Sequence, residues 1–326
     1  MITKVYRQQL SFLQKGVYDT MLKGLLEMRE SIKVFSTDID SLNTILEYIR
    51  HDCPWLFYLG NKVDFQTNSG WHSTVIVPTY LYVGSSKNAL SNQLLTAQGQ
   101  FVTAIKGNNP WEKVVAVHDY LCRRVAYKES GVESHSIVGS YLRGEAVCEG
   151  IAKCFKAMCD ELDIECCVVT GKAKSSYEAQ NYENHSWNQV KIEDQWVNVD
   201  VTFDLTLSDR NFIRHDYLFL SDEQIKFSHT KTLENGIRCV TNQYDYFLVN
   251  KLIMANQMQF VDFLKRNIQQ NIFSFEIKLP STNDIERVEQ KVLDNAQKAL
   301  QSLNLNRQVT IGINKDLLVF SIEILK

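Results

Sequence analysis

The chain has 326 residues, with 35 lysines and arginines against 38 aspartates and glutamates and a formal net charge of −3 at pH 7. Its length and its 44% share of hydrophobic residues permit a sizeable core and exceed one average domain. The interspersed charges indicate no nucleic-acid or membrane-surface partner, and no apolar run is long enough to span a bilayer.

The number and spacing of the cysteines indicate whether the protein works in a reducing or an oxidising compartment. The eight cysteines lack the spacing of a small disulfide scaffold, which favours free thiols and a reducing environment. The first residues also lack the long apolar stretch of a signal peptide. We therefore expect a cytoplasmic protein, or a secreted one if a signal peptide has been removed.

The first 108 residues predict a mixed α/β region. Helical patterns cover residues 17–28, 41–50 and 90–105, and extended patterns cover 56–59 and 70–82. Asn108-Asn109-Pro110 is a plausible domain boundary, with Pro110 near the start of a helix that runs through residue 127. We therefore divide the chain into a region 1–108, a core 109–231 and a module 232–326.

A helix is predicted directly after Cys148. The apolar positions that follow it have the spacing of one helix face: Ile151, Cys154, Phe155, Met158, Cys159 and Leu162. Cys148 then lies at or just before the first turn, where unpaired N–H groups and the helix dipole favour an anion. The helix is expected to end near residues 161–163.

Three short strands follow this helix. Residues 166–170 read as a buried strand, residues 172–183 as a loop that ends at the next strand, and residues 185–192 and 196–201 as a hairpin with its turn at 193–194. A two-residue turn places Ile192 opposite Gln195, so His185 and Asp200 lie on one face, a diagonal step of roughly 7–8 Å apart. One more loop residue would put them on opposite faces.

The last 95 or so residues predict a small α+β module. A strand is expected at 273–279, a long amphipathic helix at 284–303, and a hairpin at 308–314 and 317–325. No chemistry is visible in this module. Packing is its simplest role, and docking of a substrate or partner is a weaker alternative.

Three sequence blocks resemble the core of the transglutaminase-like superfamily, which has a papain-like cysteine fold. They are Gly144-Glu-Ala-Val-Cys148-Glu-Gly150, His185-Ser-Trp-Asn188 and Trp196-Val-Asn-Val-Asp200. The version here is similar to the bacterial branch, and the resemblance covers about residues 110–230. It implies an α+β core in which a helix with cysteine at its amino terminus packs on an antiparallel sheet that carries histidine and aspartate.

The resemblance implies that Cys148 is a nucleophile, His185 its base and Asp200 the residue that orients the imidazole. These residue types suit acyl transfer, because a histidine can take the thiol proton and a carboxylate can stabilise the imidazolium. Trp187 and Glu149 are weaker candidates for substrate binding or for shielding the imidazole. No cofactor or metal is expected, and the partner is a protein or peptide substrate; the oligomeric state is left open.

Several alternatives stay open. The acyl-enzyme could pass to water, as in a protease or amidase, or to an amine, as in a crosslinking transglutaminase; a non-catalytic binding protein on the same fold is the other class. The absence of Cys-x-x-Cys pairs argues against zinc and against a peptide N-glycanase.

Structural roles are expected for the other cysteines and histidines singled out in the sequence. Four cysteines are expected to be buried and to pack as small hydrophobic residues: Cys154, Cys159, Cys166 and Cys167. Structural roles are expected for six other histidines: His51, His72, His118, His135, His215 and His229.

Overall fold

The computed structural model describes residues 4–174, 181–209, 212–233, 235–280 and 285–325. Within these ranges the fold is α+β, as predicted. The helices are α1 (Val5–Gln9), α2 (Phe12–Leu26), α3 (Ile39–Asp52), α4 (Gly84–Ala104), α5 (Pro110–Arg124), α6 (Cys148–Glu161), α7 (Val201–Leu207), α8 (Asp222–Ile225), α9 (Tyr246–Val249), α10 (Gln257–Gln269) and α11 (Ile285–Ser302). The strands are β1 (Ile32–Val34), β2 (Leu59–Asn68), β3 (Ser73–Tyr80), β4 (Ala126–Tyr127), β5 (Glu145–Ala146), β6 (Cys166–Ala173), β7 (Glu183–Ile192), β8 (Gln195–Val199), β9 (Leu218–Leu220), β10 (His229–Lys231), β11 (Ser274–Lys278), β12 (Val309–Asn314) and β13 (Val319–Ile324).

The amino-terminal region combines helices with a small antiparallel sheet in the order β1-β3-β2. The three predicted helices are confirmed as α2, α3 and α4, each longer at its start than its pattern indicated. The extended segment predicted at 56–59 is confirmed only at Leu59, the first residue of β2, because residues 56–58 form a buried non-strand segment before it. β2 was not predicted, since its side chains are mostly exposed and polar.

The central sheet has the order β10-β6-β7-β8-β9, and all its strands pair antiparallel. The predicted register is confirmed, because Ile192 pairs with Gln195 across the β7–β8 turn. β6 is longer than predicted and continues past Gly171. The strand predicted at 196–201 is too long: β8 ends at Val199, and Asp200 is the N-cap of α7.

Helix α6 packs on this sheet. It starts at Cys148 and ends at Glu161, as predicted, and Asn188 of β7 donates a hydrogen bond to the Ala152 carbonyl at 2.9 Å. Gly150 allows the close approach of α6 to the preceding chain, because a Cβ there would lie 2.2 Å from the Ser134 carbonyl oxygen. The start of α6 is therefore held at a fixed position.

The carboxyl-terminal residues form the sheet β11-β13-β12 with α10 and α11. The predicted strand, long helix and hairpin are confirmed, whereas α10 was not predicted. Arg214 and His215 connect this sheet to the core: the Arg214 Nε and the His215 Nδ1 lie 3.0 and 2.8 Å from the Glu276 carboxylate. β11 is thereby tied to the chain segment that precedes β9.

Buried hydrophobic residues group into three clusters. One extends from Leu10 to Phe219 and includes residues on both sides of position 109, a second lies between Met254 and Ile324, and a third joins the central and carboxyl-terminal sheets. The division at 108 and 231 stays a prediction of chain organisation. Among the described residues, no helix combines the length and the apolar character needed to cross a bilayer.

Candidate active site

Cys148 occupies the first position of α6. The N-cap is Val147, whose side chain makes no capping hydrogen bond. The backbone N–H groups at this helix start are therefore not satisfied by a side-chain cap, and they and the helix dipole favour a negative charge. Cys148 is half-buried, and all eight cysteines are free thiols, as predicted.

The structure brings the three residues of the predicted triad together. His185 Nε2 lies 2.6 Å from Asp200 Oδ2, and the Cys148 thiol lies near enough to the His185 ring to raise its pKa against the effect of burial. Because Asp200 occupies Nε2, the other ring nitrogen, Nδ1, is left for the thiol. The second oxygen of Asp200 accepts a hydrogen bond from the Phe203 amide at 3.1 Å and so caps α7.

The protonation states of His185 and Asp200 follow from their burial and from the charges of their neighbours. Burial alone would lower the pKa of His185, but Asp200 and Cys148 together raise that pKa to about 10. Burial would likewise raise the pKa of Asp200, but His185 and His229 hold it well below its usual range. At neutral pH the imidazole is therefore protonated and the carboxylate ionised, the charge state needed beside a thiolate.

His229 also belongs to this site, although the sequence predicted only a structural role for it. Its Nε2 lies 2.8 Å from Asp200 Oδ2, and its Nδ1 lies 2.8 Å from the Ser228 hydroxyl. Burial and the neighbouring His185 charge lower its pKa, against the effect of Asp200. No pattern in the sequence pointed to it, because β10 has three residues and its pairing with β6 is not encoded locally.

Trp187 lies underneath the His185 ring. The two rings are stacked with centroids 6.2 Å apart, and the indole Nε1 donates to the Asn198 side chain at 3.3 Å. With 1% of its surface exposed, Trp187 has no face for a substrate. Its position favours shielding of the imidazole from water over the substrate-binding alternative.

Glu149 points away from this site. Its carboxylate lies 2.5 Å from Lys153 Nζ and 3.1 Å from His135 Nδ1. Burial would raise its pKa, but Lys153 and His135 lower it. Glu149 lines a different cleft, between α6 and the amino-terminal region, so it does not face His185.

A second cysteine–histidine contact occurs within α5, beside Asp204 of α7. His118 Nε2 lies 3.8 Å from Cys122 Sγ and 3.1 Å from Asp204 Oδ2. Burial raises the pKa of Cys122, although His118 opposes this shift. This thiol lies in the last turn of α5 and lacks the helix-start environment of Cys148.

Within the part of the chain that the structure describes, two groups of side chains have donor atoms close enough to hold a metal ion: His118–Asp119–His215 and His185–Asp200–His229. In both groups the histidine nitrogens already lie 2.6–3.1 Å from carboxylate oxygens. For both His118 and His215, burial would lower the pKa, but the neighbouring carboxylates and, for His118, Cys122 raise it. Protonated rings of this kind donate hydrogen bonds and have no lone pair for a metal.

A cleft of about 510 Å³ opens beside His185. One side belongs to the core and includes Glu183, Phe203 and Leu207, and the other side is the end of β12 and the turn after it, residues 313–316. Clefts of this size accommodate small ligands or peptide side chains. The predicted active-site histidine thus faces a space that a substrate could enter.

Comparison with known proteins agrees with this architecture. Residues 99–201 match the sequence profile of the Transglutaminase-like superfamily, and this segment contains Cys148, His185 and Asp200. A stretch of 125 residues is 26% identical to kyphoscoliosis peptidase of Mus musculus and covers 34% of this chain. It corresponds to 19% of the mouse protein, so this chain spans about a fifth of that relative's length.

Two solved structures are also similar. A candidate cysteine protease from Cytophaga hutchinsonii aligns over 47% of this chain and 64% of its own, at 16% identity and a TM-score of 0.30. A protein described as a TGase aligns over 53% of this chain and 50% of its own, at 15% identity and a TM-score of 0.30.

This chain carries a domain of the transglutaminase-like superfamily. Such a domain is consistent with cysteine-dependent acyl transfer or protease activity. The predicted superfamily and the predicted α+β class with a transglutaminase-like core are confirmed, and membership of the bacterial branch stays a prediction.

Proposed function

We propose that this protein is a cysteine-dependent enzyme that hydrolyses a peptide bond or a glutamine-type amide, with Cys148, His185 and Asp200 as its triad. The observation that carries this proposal is the chain of interactions at His185, which lies 2.6 Å from Asp200 and close enough to the Cys148 thiol for both groups to raise the pKa of its ring. The thiol end of that chain lies at an uncapped helix start. Helix dipole, imidazolium and carboxylate all favour the same charge distribution.

In the proposed reaction, His185 already holds the proton of Cys148 in the resting enzyme, and the thiolate attacks the substrate carbonyl carbon. The resulting oxyanion is met by the backbone N–H of Cys148. His185 then gives its proton to the leaving amine or ammonia, and a thioester remains on Cys148. Water, deprotonated by His185, attacks the thioester, releases the acid and restores the thiol.

Hydrolysis is proposed over crosslinking because the described surroundings of the thiol include no acidic cluster to recruit a lysine amine. The carboxylates nearest to Cys148 in the sequence, Glu145 and Glu149, are paired with Lys128 at 2.8 Å and Lys153 at 2.5 Å. Neither carboxylate is left without a cationic partner. Transamidation therefore stands as the alternative fate of the same thioester.

Alkylation by iodoacetamide at pH 5.5–6 tests the nucleophile without requiring a known substrate. A thiolate held by an imidazolium reacts in this range, whereas ordinary thiols scarcely do. We expect rapid labelling of the wild type, none of Cys148→Ala, and unchanged labelling of Cys122→Ala, in which the other half-buried cysteine beside a histidine is removed. Labelling that survives in Cys148→Ala and disappears in Cys122→Ala would overturn the assignment.

The fate of the thioester is tested with a glutamine-containing peptide, offered with and without a primary amine. Ammonia release and amine incorporation are followed separately. Hydrolysis is supported if ammonia release exceeds amine incorporation at low amine concentration, and crosslinking is supported by the reverse. An acid-reactive Cys148 together with no turnover across a peptide panel would favour the non-catalytic binding class.

A further inference from the structure

The cleft beside His185 has one wall that lies outside the superfamily match at residues 99–201. This wall is formed by residues 313–316, at the end of β12 and in the turn before β13. The opposite wall is formed by the end of β6, the start of β7 and helix α7. The carboxyl-terminal module thus helps to shape the space that His185 faces.

Several contacts fix this wall in place. Burial raises the pKa of Tyr217 and Asn314 opposes this shift, so the two side chains lie close together. Lys174 Nζ lies 3.8 Å from Asp316 Oδ1. Behind the turn, Arg214 donates to the Ser321 hydroxyl at 2.8 Å. Because both the tip and the base of the hairpin are bonded to the core, the wall is part of the site.

The chemistry of the lining indicates what enters. Leu207 at the end of α7 is 45% exposed, and Phe203 and the half-buried Ile313 add further apolar surface. Among the charged groups of the cleft, the His185 imidazolium is paired with Asp200, Asp316 faces Lys174, and Lys315 has a partner of its own. Glu183 is exposed. The lining therefore suits an apolar group better than a charged one.

We propose that this cleft binds an apolar side chain of the peptide substrate and that Leu207 and Ile313 set the preference. This inference rests on the proposed function, because it takes the substrate to be a peptide. Exchanging an apolar contact for a polar one typically changes discrimination by about tenfold or more.

The test measures binding, so that it does not depend on turnover. Glutamine-containing hexapeptides, with leucine, glutamate or lysine placed at each position flanking the glutamine, are titrated into Cys148→Ala by calorimetry. At one position we expect leucine to bind at least about tenfold more tightly than glutamate or lysine. Leu207→Ser in the same background should abolish that difference, and Ile313→Thr should reduce it.

Leu26→Ser is the matched control, since Leu26 is a 57% exposed leucine at the end of α2, outside the lining of this cleft. It should leave the preference unchanged. The inference is overturned if the panel shows no preference for leucine, or if the preference survives Leu207→Ser. Failure of the proposed function is read separately, from acid-pH alkylation of Cys148.

A second inference rests on His229 and is independent of the cleft. His229 belongs to β10, where it pairs with Ala173 of β6. Its ring is buried, and its Nε2 contacts the same Asp200 oxygen that binds His185. One carboxylate oxygen therefore accepts hydrogen bonds from two imidazoles, at 2.6 and 2.8 Å.

The hydrogen-bond directions follow from chemistry. Asp200 is ionised and can only accept, so His229 Nε2 carries a proton. His229 Nδ1 then accepts from the Ser228 hydroxyl. The groups facing the ring are Asp200, the His185 ring at 5.4 Å, the Tyr217 ring at 5.7 Å, and the apolar faces of Trp187 and Phe203.

We infer that His229 is a positioning residue that keeps the Asp200 carboxylate ionised and aimed at His185. His229 does not itself line the cleft, so its effect on the reaction passes through Asp200. Loss of a hydrogen bond to a charged group typically corresponds to a tenfold effect or more. This inference too depends on the proposed triad.

Two variants of His229 distinguish a role in positioning Asp200 from a role in packing. In His229→Gln the amide can still reach Asp200, whereas in His229→Asn the shorter side chain cannot. As the pH is lowered, alkylation of Cys148 should be lost at a higher pH in the Asn variant than in the wild type. The Asn variant should also show about tenfold lower kcat at similar KM. The Gln variant should restore both properties towards the wild type, at similar thermal stability.

If the Asn, Gln and wild-type proteins share one alkylation profile, His229 has no positioning role. If the wild type itself lacks acid-pH reactivity at Cys148, the proposed function fails and this inference fails with it. The two failures are distinguishable, because the second is visible in the wild type alone.

Discussion

Asp200 and His185 are joined by a 2.6 Å contact, and the same carboxylate also begins a helix. Asp200 Oδ1 caps α7 through the Phe203 amide, while Oδ2 binds His185 and His229. The carboxylate is therefore held by a helix start as well as by the two imidazoles. This double attachment allows its structural and chemical roles to be separated by mutation.

Asp200→Asn should retain the fold and lose activity. Asparagine is as good an N-cap as aspartate, so the thermal midpoint should change little. The neutral amide no longer stabilises the imidazolium and permits the wrong tautomer, and by analogy with the serine triad kcat should fall about 10⁴-fold. Steady-state kinetics and thermal unfolding measured on the same preparation check both statements.

Asp200→Ala is the contrasting variant. It should lose the same activity and also about 1 kcal/mol of stability, because the cap is removed. A fully active Asp200→Asn protein would contradict the role assigned to this carboxylate.

Cys148→Ala should abolish turnover with the fold nearly unchanged. The side chain is half-buried at a helix start, and alanine is well tolerated in helices. The comparison is with Cys122→Ala, which should retain activity. Full activity of Cys148→Ala on a verified substrate would show that the nucleophile is elsewhere.

The sequence was informative where structure is local. The 3–4 spacing after Cys148 predicted the start and end of α6, and the two-residue turn after Ile192 predicted the register that puts His185 near Asp200. His229 could not be predicted, because it comes to the site through a three-residue edge strand. Likewise, nothing local indicates that residues 313–316, more than 100 positions after Asp200, line the cleft beside His185.

The buried charges between α5, the segment before β9 and β11 should make stability fall at alkaline pH. For His118 and His215, burial would lower the pKa but the surrounding groups raise it, whereas burial raises the pKa of Asp216 to about 7. A raised histidine pKa contributes stability that is present below its unfolded value near 6.5 and is lost as pH rises through the folded value. The raised Asp216 pKa acts in the same direction.

We therefore expect the free energy of unfolding to decline as the pH rises above about 6.5. Glu276→Gln should weaken that decline, because the amide no longer holds the protons of His215 and Arg214. Denaturant unfolding at several pH values measures the slope. Equal slopes in the two proteins would show that the cluster does not control the alkaline dependence.

Gly150→Ala should destabilise the protein through the start of α6. A Cβ at this position would lie 2.2 Å from the Ser134 carbonyl oxygen and 3.1 Å from the Ser136 carbonyl oxygen. Both neighbours are backbone atoms, so the helix or the preceding segment must move, at a cost of about 1–3 kcal/mol. The shift should also misplace Cys148, so activity should fall more than stability alone would account for.

Gly99→Ala in α4 is the matched control, since nothing lies within 4 Å of the added Cβ. Replacing a glycine inside an open helix should stabilise by about 0.5–1 kcal/mol. Denaturant unfolding of both variants, with alkylation of Cys148 at pH 6 as the second measurement, tests the contrast. If Gly150→Ala were as stable and as reactive as Gly99→Ala, the close contact between α6 and Ser134 would not control the position of the thiol.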